Sequence, residues 1–165
     1  MILGRFLFGA VQGTVTVGKP RQAGQLISKT PPTDVPQQAV YGNYVVPSDF
    51  KKITTSAPVF PVVESYDYIK TKGGYNEIAV QIVKLITGSL SDDGTYNLRA
   101  AKPDQYIKST VQVQGKPATM FYDAQNTNAT IYLQRGDIVV HVSLTGPMAA
   151  ETDKVVGLAN NWHWN

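Results

Sequence analysis

The side chains best suited to acid–base chemistry in this sequence are two histidines, His141 and His163. A zinc site would need further His or carboxylate ligands at regular spacing, such as two histidines one helical turn apart or at alternate positions of a strand. Neither histidine has such a ligand near it in the sequence. The sequence therefore predicts no metal site, and it favours histidines that are hydrogen-bonded or solvated.

One catalytic alternative stays open, a small hydrolase in which His141 acts with a distant carboxylate such as Asp123 or Glu77. The G-x-S-x-G and S-x-x-K patterns of serine nucleophiles are missing from the sequence. The acidic segment 91–94 lacks the alternating carboxylates and the distal Glu of a calcium loop. It fits the turn and N-cap of a short helix. The sequence thus predicts no catalytic residues and favours a protein that is not an enzyme.

Aromatic side chains supply weaker candidates for contact with a ligand or a partner. Exposed tyrosines suit a glycan or protein surface, whereas half-buried tyrosines on strands are the commoner alternative. Trp162 and Trp164 lie close together, which favours a packed plug over a ligand platform. The weak candidates for a ligand or partner surface are His141, Tyr132, Tyr122 and Trp164.

Composition excludes several function classes. The 165 residues carry a net charge of only +3, and their Lys and Arg are scattered, so the basic stripe of a nucleic-acid-binding protein is missing. There is no cysteine, which excludes disulfides, thiolate metal sites and cysteine nucleophiles. The glycine cluster at 73–74 lacks the spacing of a phosphate-binding or dinucleotide-binding loop. The sequence predicts no cofactor and no nucleic-acid partner.

Alternating apolar residues predict an α+β fold built on an antiparallel sheet of about six strands. The clearest pattern is Ile138–Thr145, in which Ile138, Val140, Val142 and Leu144 share one face. A short strand is expected over 42–46, before Pro47. The other predicted strands are Glu64–Lys70, Glu77–Val83, Lys108–Gln114, Ala118–Asp123 and Ala129–Gln134.

Two helices are predicted to pack on this sheet. A short one covers Thr95–Ala101 and ends before Pro103. A longer one begins at Pro147, with Glu151 and Asp153 near its positive end. Its apolar stripe, which we expect to seal the sheet, comprises Met148, Thr152, Val155, Ala159 and Trp162.

The sequence divides into three parts. Residues 1–18 are apolar and predict a truncated signal or membrane anchor, with a first strand or helix of the fold as the alternative. Residues 19–38 hold four prolines among polar residues and predict an extended linker. Residues 39–165 form the α+β head domain. This order predicts a location outside the cytoplasm, tethered to a membrane.

Four segments carry a resemblance to a known family: the aromatic strand and Pro turn at 41–50, the loop and helix at 88–99, the hairpin at 113–118, and the ending at Trp162-His163-Trp164. Together they resemble PsbP-like domains, which are α/β sandwiches. The order is also similar to uncharacterised, membrane-anchored extracytoplasmic proteins of bacteria. The resemblance implies a sheet with helices on its faces that serves binding or assembly, and it transfers no binding residue.

These observations favour a non-catalytic binding or assembly domain tethered to the cell envelope. Its partner is expected to be an envelope protein or another extracytoplasmic component. The first alternative is a carrier of a small ligand or lipid, with a pocket between sheet and helix. The second is the small hydrolase that uses His141. The oligomeric state stays open.

Overall fold

We describe the protein from a computed structural model, whose described residues are 40–53 and 57–165. The elements are β1 Gly42–Tyr44, β2 Phe50–Ile53, β3 Val62–Lys70, β4 Glu77–Lys84, α1 Gly94–Ala100, β5 Tyr106–Val113, β6 Lys116–Asp123, β7 Asn128–Arg135, β8 Ile138–Thr145, α2 Thr152–Ala159 and β9 Trp162–Trp164. Seven of these strands form one antiparallel sheet in the order β2-β3-β4-β8-β7-β6-β5, and β1 pairs with β9 in a separate two-stranded sheet.

The α+β class and the antiparallel sheet agree with the sequence prediction, and so does the meander from β5 to β8. The number of strands differs. The main sheet gains β2 at one edge, and the strand expected at 42–46 leaves the main sheet to pair with β9. The proposed anchor at 1–18 and linker at 19–38 lie outside the described residues.

The sheet consists of two blocks that meet at one seam. Strands β2 to β4 form the first block, and the meander from β5 to β8 forms the second. The seam is the antiparallel β4–β8 ladder, in which Val80 lies opposite Val142 and Ile78 lies opposite Leu144. These aliphatic side chains are almost fully buried, because the alternation of the two strands places them on the same face.

That face carries the main core. Val140 and Val142 are 0% and 1% exposed, so the inward register predicted for β8 is confirmed. Helix α2 covers this face with Val155, Leu158 and Ala159. Deleting any of these buried aliphatic groups removes both transfer energy and packing, at a typical cost of about 1–4 kcal/mol.

The opposite face carries a smaller core under α1. It contains Val83, Leu85, Phe121, Tyr132 and Val139. Alternate residues of β6, β7 and β8 thus belong to different cores, and each of these strands is buried from both sides at this end of the sheet. The short helix predicted at 95–101 begins one residue earlier and ends at Ala100.

The long C-terminal helix predicted from Pro147 is wrong. The chain forms a 3₁₀ turn at Pro147–Ala150, then an extended residue at Glu151, and only then α2. The glycine before the proline, Gly146, has φ 116°, a value that favours glycine, so the chain turns sharply after β8. The apolar residues keep helical spacing across this break, so their pattern predicts one continuous helix.

Trp162 lies in strand β9 and not on the helix, as its place in the stripe had suggested. Strand β9 pairs with β1, so that Tyr44 lies opposite Trp162 and Gly42 opposite Trp164. The Trp162 ring is fully buried and crosses directly over Gly42, where a β-carbon would collide with it. Glycine at 42 is therefore a packing requirement of this tryptophan.

Candidate functional site

His141 lies on the smaller core face of β8, where it is 3% exposed. Its Nε2 contacts the Oδ2 atom of Asp93, which is 1% exposed. The two residues form a buried acid–base pair between the sheet and the start of α1. The structure thus resolves the sequence alternatives for His141 in favour of a hydrogen-bonded histidine.

Asp93 is also the N-cap of α1, as its sequence context predicted. Its Oδ1 accepts hydrogen bonds from the backbone N of Thr95 (2.9 Å), from the Thr95 hydroxyl (2.7 Å) and from the backbone N of Tyr96 (3.1 Å). Burial by itself raises the pKa of the Asp93 carboxyl. The bond and positive charge of His141, together with these donors, outweigh burial and bring the pKa to about 2.

Tyr132 on β7 lies directly opposite His141 on β8. The two rings are tilted, with centroids 4.5 Å apart. The Tyr132 hydroxyl accepts a hydrogen bond from Arg99 of α1, and it lies 3.4 Å from the Thr95 hydroxyl. Burial raises the pKa of Tyr132, although the contacts with Thr95 and Arg99 partly oppose it. This cross-strand pair is therefore tied to α1 at two points.

An aromatic cluster closes the smaller core. Tyr96, Phe121 and Tyr132 meet edge to face with centroids 5.3–5.8 Å apart. Lys108 covers this cluster from outside, since its Nζ donates to the Tyr96 hydroxyl at 3.0 Å and lies 5.9 Å from the Phe121 ring centroid. Edge-to-face contacts add about 0.5–1.5 kcal/mol per pair to burial. The cluster shields the buried pair from solvent.

The buried pair is arranged for structure. A general base must reach the proton of a substrate, and side chains 1–3% exposed do not meet a substrate in this conformation. The charged carboxylate instead holds the first turn of α1 against β8. His141 and Tyr132 thus lie together, but they are not part of the exposed surface, because α1 covers them.

The carboxylates named as partners for His141 are engaged elsewhere. Asp123 accepts from the side-chain Nδ2 of Asn126 at 2.7 Å and closes the turn between β6 and β7. Glu77 accepts from the Tyr75 hydroxyl. Pairing of His141 with either residue is therefore wrong. Its partner comes from the loop before α1, which no local spacing indicates.

A second candidate site surrounds Trp164, where the surface has two adjoining depressions with volumes of about 70 and 210 Å³. Trp164 is half-buried and lines both of them. The smaller depression is lined by Val113, Gln114, Lys116, Pro117, Ala118, Leu133, Gln134 and Trp164. The larger one is lined by Val40, Tyr41, Arg135, Ile138, Trp164 and Asn165.

The position of Trp164 is fixed from beneath. Its ring meets that of the buried Trp162 edge to face, with centroids 5.6 Å apart. Gln114, in the turn between β5 and β6, donates its Nε2 to the backbone oxygen of Trp162 and, at 3.2 Å, to that of Asn160. The packed plug predicted for the two tryptophans is thus observed for Trp162, whereas Trp164 is half-exposed above it and its role as a ligand platform stays a prediction.

Tyr122 lies apart from the buried pair. It is half-buried and packs against the main core, on the opposite face of the sheet from His141 and Tyr132. The four aromatic and histidine candidates therefore fall into two groups on opposite faces.

The described segments 40–53 and 57–165 contain no group of three His, Asp or Glu residues that could hold a metal ion. Across the same segments, no helix has the length and apolar character needed to cross a membrane.

No protein-family model matches the chain, and no curated protein matches it. The chain is similar to a crystal structure from Bacteroides thetaiotaomicron VPI-5482, with a TM-score of 0.42 and 14% sequence identity. The match covers 75% of this chain and 44% of that one, so this chain spans less than half of its length. The resemblance to PsbP-like domains stays a prediction.

Proposed function

We propose that this protein is a non-catalytic binding or assembly domain, tethered to the cell envelope outside the cytoplasm, and that it binds its partner through the surface around Trp164. One observation carries the proposal: a half-exposed tryptophan, braced by a buried one, lines two adjoining depressions. Rigid aromatic anchors with a polar rim are typical of binding surfaces.

The buried His141–Asp93 pair supports the non-catalytic part of the proposal. Its carboxylate already accepts from the backbone of α1 and contacts His141, so its hydrogen-bonding capacity is used within the fold. Tethering to the envelope is supported by the apolar segment 1–18 and the proline-containing segment 19–38. The resemblance to PsbP-like domains points to the same class of function.

The carrier alternative has weaker support. Pockets that enclose a small ligand usually measure about 300–1,000 Å³. The two depressions beside Trp164 are smaller, at about 70 and 210 Å³. They suit contact with part of a larger partner better than enclosure of a free ligand.

The proposal is tested by co-sedimentation of the full-length protein with the detergent-insoluble envelope fraction of its source cells, in detergent so that insertion of residues 1–18 into membrane does not itself cause sedimentation. We expect the Trp164→Ala variant to lose at least about tenfold in binding, since a central aromatic anchor typically contributes 2 kcal/mol or more. His163→Ala is the matched control, because His163 is exposed and lies next to Trp164 on the same strand.

Two results would overturn the proposal. One is unchanged sedimentation of the Trp164→Ala variant while its thermal unfolding matches that of the wild type. The other is recovery of the native full-length protein in the cytosolic fraction, which would remove the extracytoplasmic location.

A further inference from the structure

We infer that the ligand of the Trp164 surface is an acidic polysaccharide. This inference rests on the proposed function and names its ligand class. The shape of the surface, the polar groups on its rim and the charge of its lining support this ligand class.

The Trp164 ring supplies a rigid apolar wall. Trp162, which holds it edge to face, is 0% exposed and locked over Gly42. A sugar ring has an apolar face of C–H groups that packs against a flat indole, and little conformational entropy is lost when the indole is already fixed. Because Trp164 lines both depressions, two neighbouring sugar units can contact it.

Two glutamines supply oriented polar groups beside this wall. Gln134 donates its Nε2 to the backbone oxygens of Gly88 (2.7 Å) and Gly136 (3.0 Å). Gln114 donates its Nε2 to the backbone oxygen of Asn160 at 3.2 Å. These bonds fix each amide plane and direct its donor group toward the protein, which leaves the Oε1 atom as the acceptor for a hydroxyl. Sugars are rich in such hydroxyl donors.

The charge of the lining selects an acidic sugar over a neutral one. Lys116 lines the smaller depression and Arg135 the larger one, and no Asp or Glu side chain is among the described residues that line either. Arg135 is engaged within the larger depression, because its Nη1 donates a hydrogen bond to the Asn165 oxygen at 2.8 Å. Lys116 is the exposed cation of the smaller depression beside Trp164. Guanidinium and ammonium groups pair well with the carboxylates of uronic acids.

Three defined polymers test the inference with the full-length protein. Polygalacturonate has both sugar rings and carboxylates, dextran has uncharged sugar rings, and poly-L-glutamate has carboxylates without sugar rings. We expect binding to polygalacturonate, followed by tryptophan fluorescence and calorimetry, with at least about tenfold weaker binding to each of the other two.

Substitutions separate stacking from charge. Trp164→Ala is expected to weaken polygalacturonate binding at least about tenfold at any salt concentration. Lys116→Ala is expected to weaken it about threefold at low salt, with the difference lost near 0.5 M NaCl because charge contacts are screened. The matched control is Lys72→Ala, an exposed lysine in the turn between β3 and β4, which should bind like the wild type.

Each outcome is decisive. Equal binding to poly-L-glutamate and polygalacturonate would show that the site recognises charge alone, and it would overturn the inference. Equal binding to dextran and polygalacturonate would show that the carboxylates are not recognised, and it would overturn the inference as well. No binding to polygalacturonate, together with Trp164-dependent binding to the envelope fraction, would overturn the ligand class and leave the proposed function standing. Envelope binding that does not depend on Trp164 would overturn the proposed function itself.

Discussion

At the scale of single residues, the contact between His141 and Asp93 shows how a polar pair becomes part of a core. The two residues are 48 positions apart in the chain. The capping role of Asp93 follows from its local sequence, because an aspartate before a short helix is a strong N-cap signal. The pairing of Asp93 with His141 cannot be predicted in this way, because the sequence around a histidine in a valine-rich strand does not indicate which loop will cover it.

Removal of the histidine is expected to destabilise the fold. His141→Ala leaves a buried carboxylate without its buried partner, which typically costs about 3–5 kcal/mol. Asp93→Ser keeps a helix cap and removes the charge, so the double variant should lose less than the sum of the single losses. Urea unfolding followed by tryptophan fluorescence measures these values. His163→Ala is the control, and additive losses within about 0.5 kcal/mol would contradict the pairing.

The same carboxylate predicts a dependence on pH. The pKa of Asp93 is about 2 in the folded protein, below its ordinary value of 3.8. A lowered folded-state pKa stabilises the fold above the unfolded value, and this stability is lost as pH falls from about 4 toward 2. The loss corresponds to roughly 2 kcal/mol.

Unfolding free energies of the wild type and of Asp93→Asn, measured between pH 6 and pH 2, test this expectation. The wild type should lose roughly 2 kcal/mol more than the variant across this range. Parallel curves for the two proteins would show that Asp93 does not titrate as described.

At the scale of elements, strands were more predictable than helices. Ile138–Thr145 was predicted with its observed bounds, because strict alternation specifies both the strand and its buried face. The C-terminal helix was predicted too long, since Met148 and Trp162 continue a helical spacing although they lie in a turn and a strand. The periodicity of apolar residues indicates which side chains are buried, but a helix, a turn and a strand can each bury them.

Substitutions of two glycines, Gly42 at the β1–β9 contact and Gly157 in helix α2, are expected to have opposite effects on stability. Gly42→Ala places a β-carbon against the Trp162 ring and is expected to destabilise the fold by about 1–3 kcal/mol. Gly157→Ala adds a β-carbon that meets nothing within 4 Å in helix α2, and it should stabilise the fold by about 0.5–1 kcal/mol. Thermal and urea unfolding give both values. Equal effects of the same sign would contradict the packing described for Trp162.

At the scale of the whole molecule, the two cores share their strands. Phe121 and Met120 are neighbours on β6, yet they belong to cores on opposite faces. The alternation of apolar residues in the sequence predicts one buried face of the sheet. Burial of the second face is harder to predict, because that face mixes aromatic, charged and hydroxyl side chains. The sequence indicated Trp164 as a candidate surface residue but did not indicate the depressions beside it. Segments that are distant in the chain form those depressions.

Shared strands predict a single unfolding transition. Phe121→Ala alters the smaller core and should cost about 3–5 kcal/mol. The tryptophans lie on the opposite face, yet their fluorescence midpoint should shift together with the circular dichroism midpoint, because neither core persists without the sheet. Lys102→Ala, an exposed substitution, is the control. A tryptophan transition that stays in place would show that the two cores unfold independently.

The pairing of β1 with β9 has a further consequence for chain connectivity. The backbone N of Asn165 donates to the Tyr41 oxygen at 3.3 Å, so residues 41 and 165 are neighbours in space. A segment whose first and last residues are adjacent, as in residues 41–165, tolerates circular permutation and insertion into a surface loop of a host protein. A few glycines can bridge residues 165 and 41, and new termini can be opened at the exposed turn around Gly136. A host protein that received the domain would be joined to it beside the Trp164 depressions, because Tyr41 and Asn165 line the larger one. The geometry of this junction would then control the access of a polymer to the depressions.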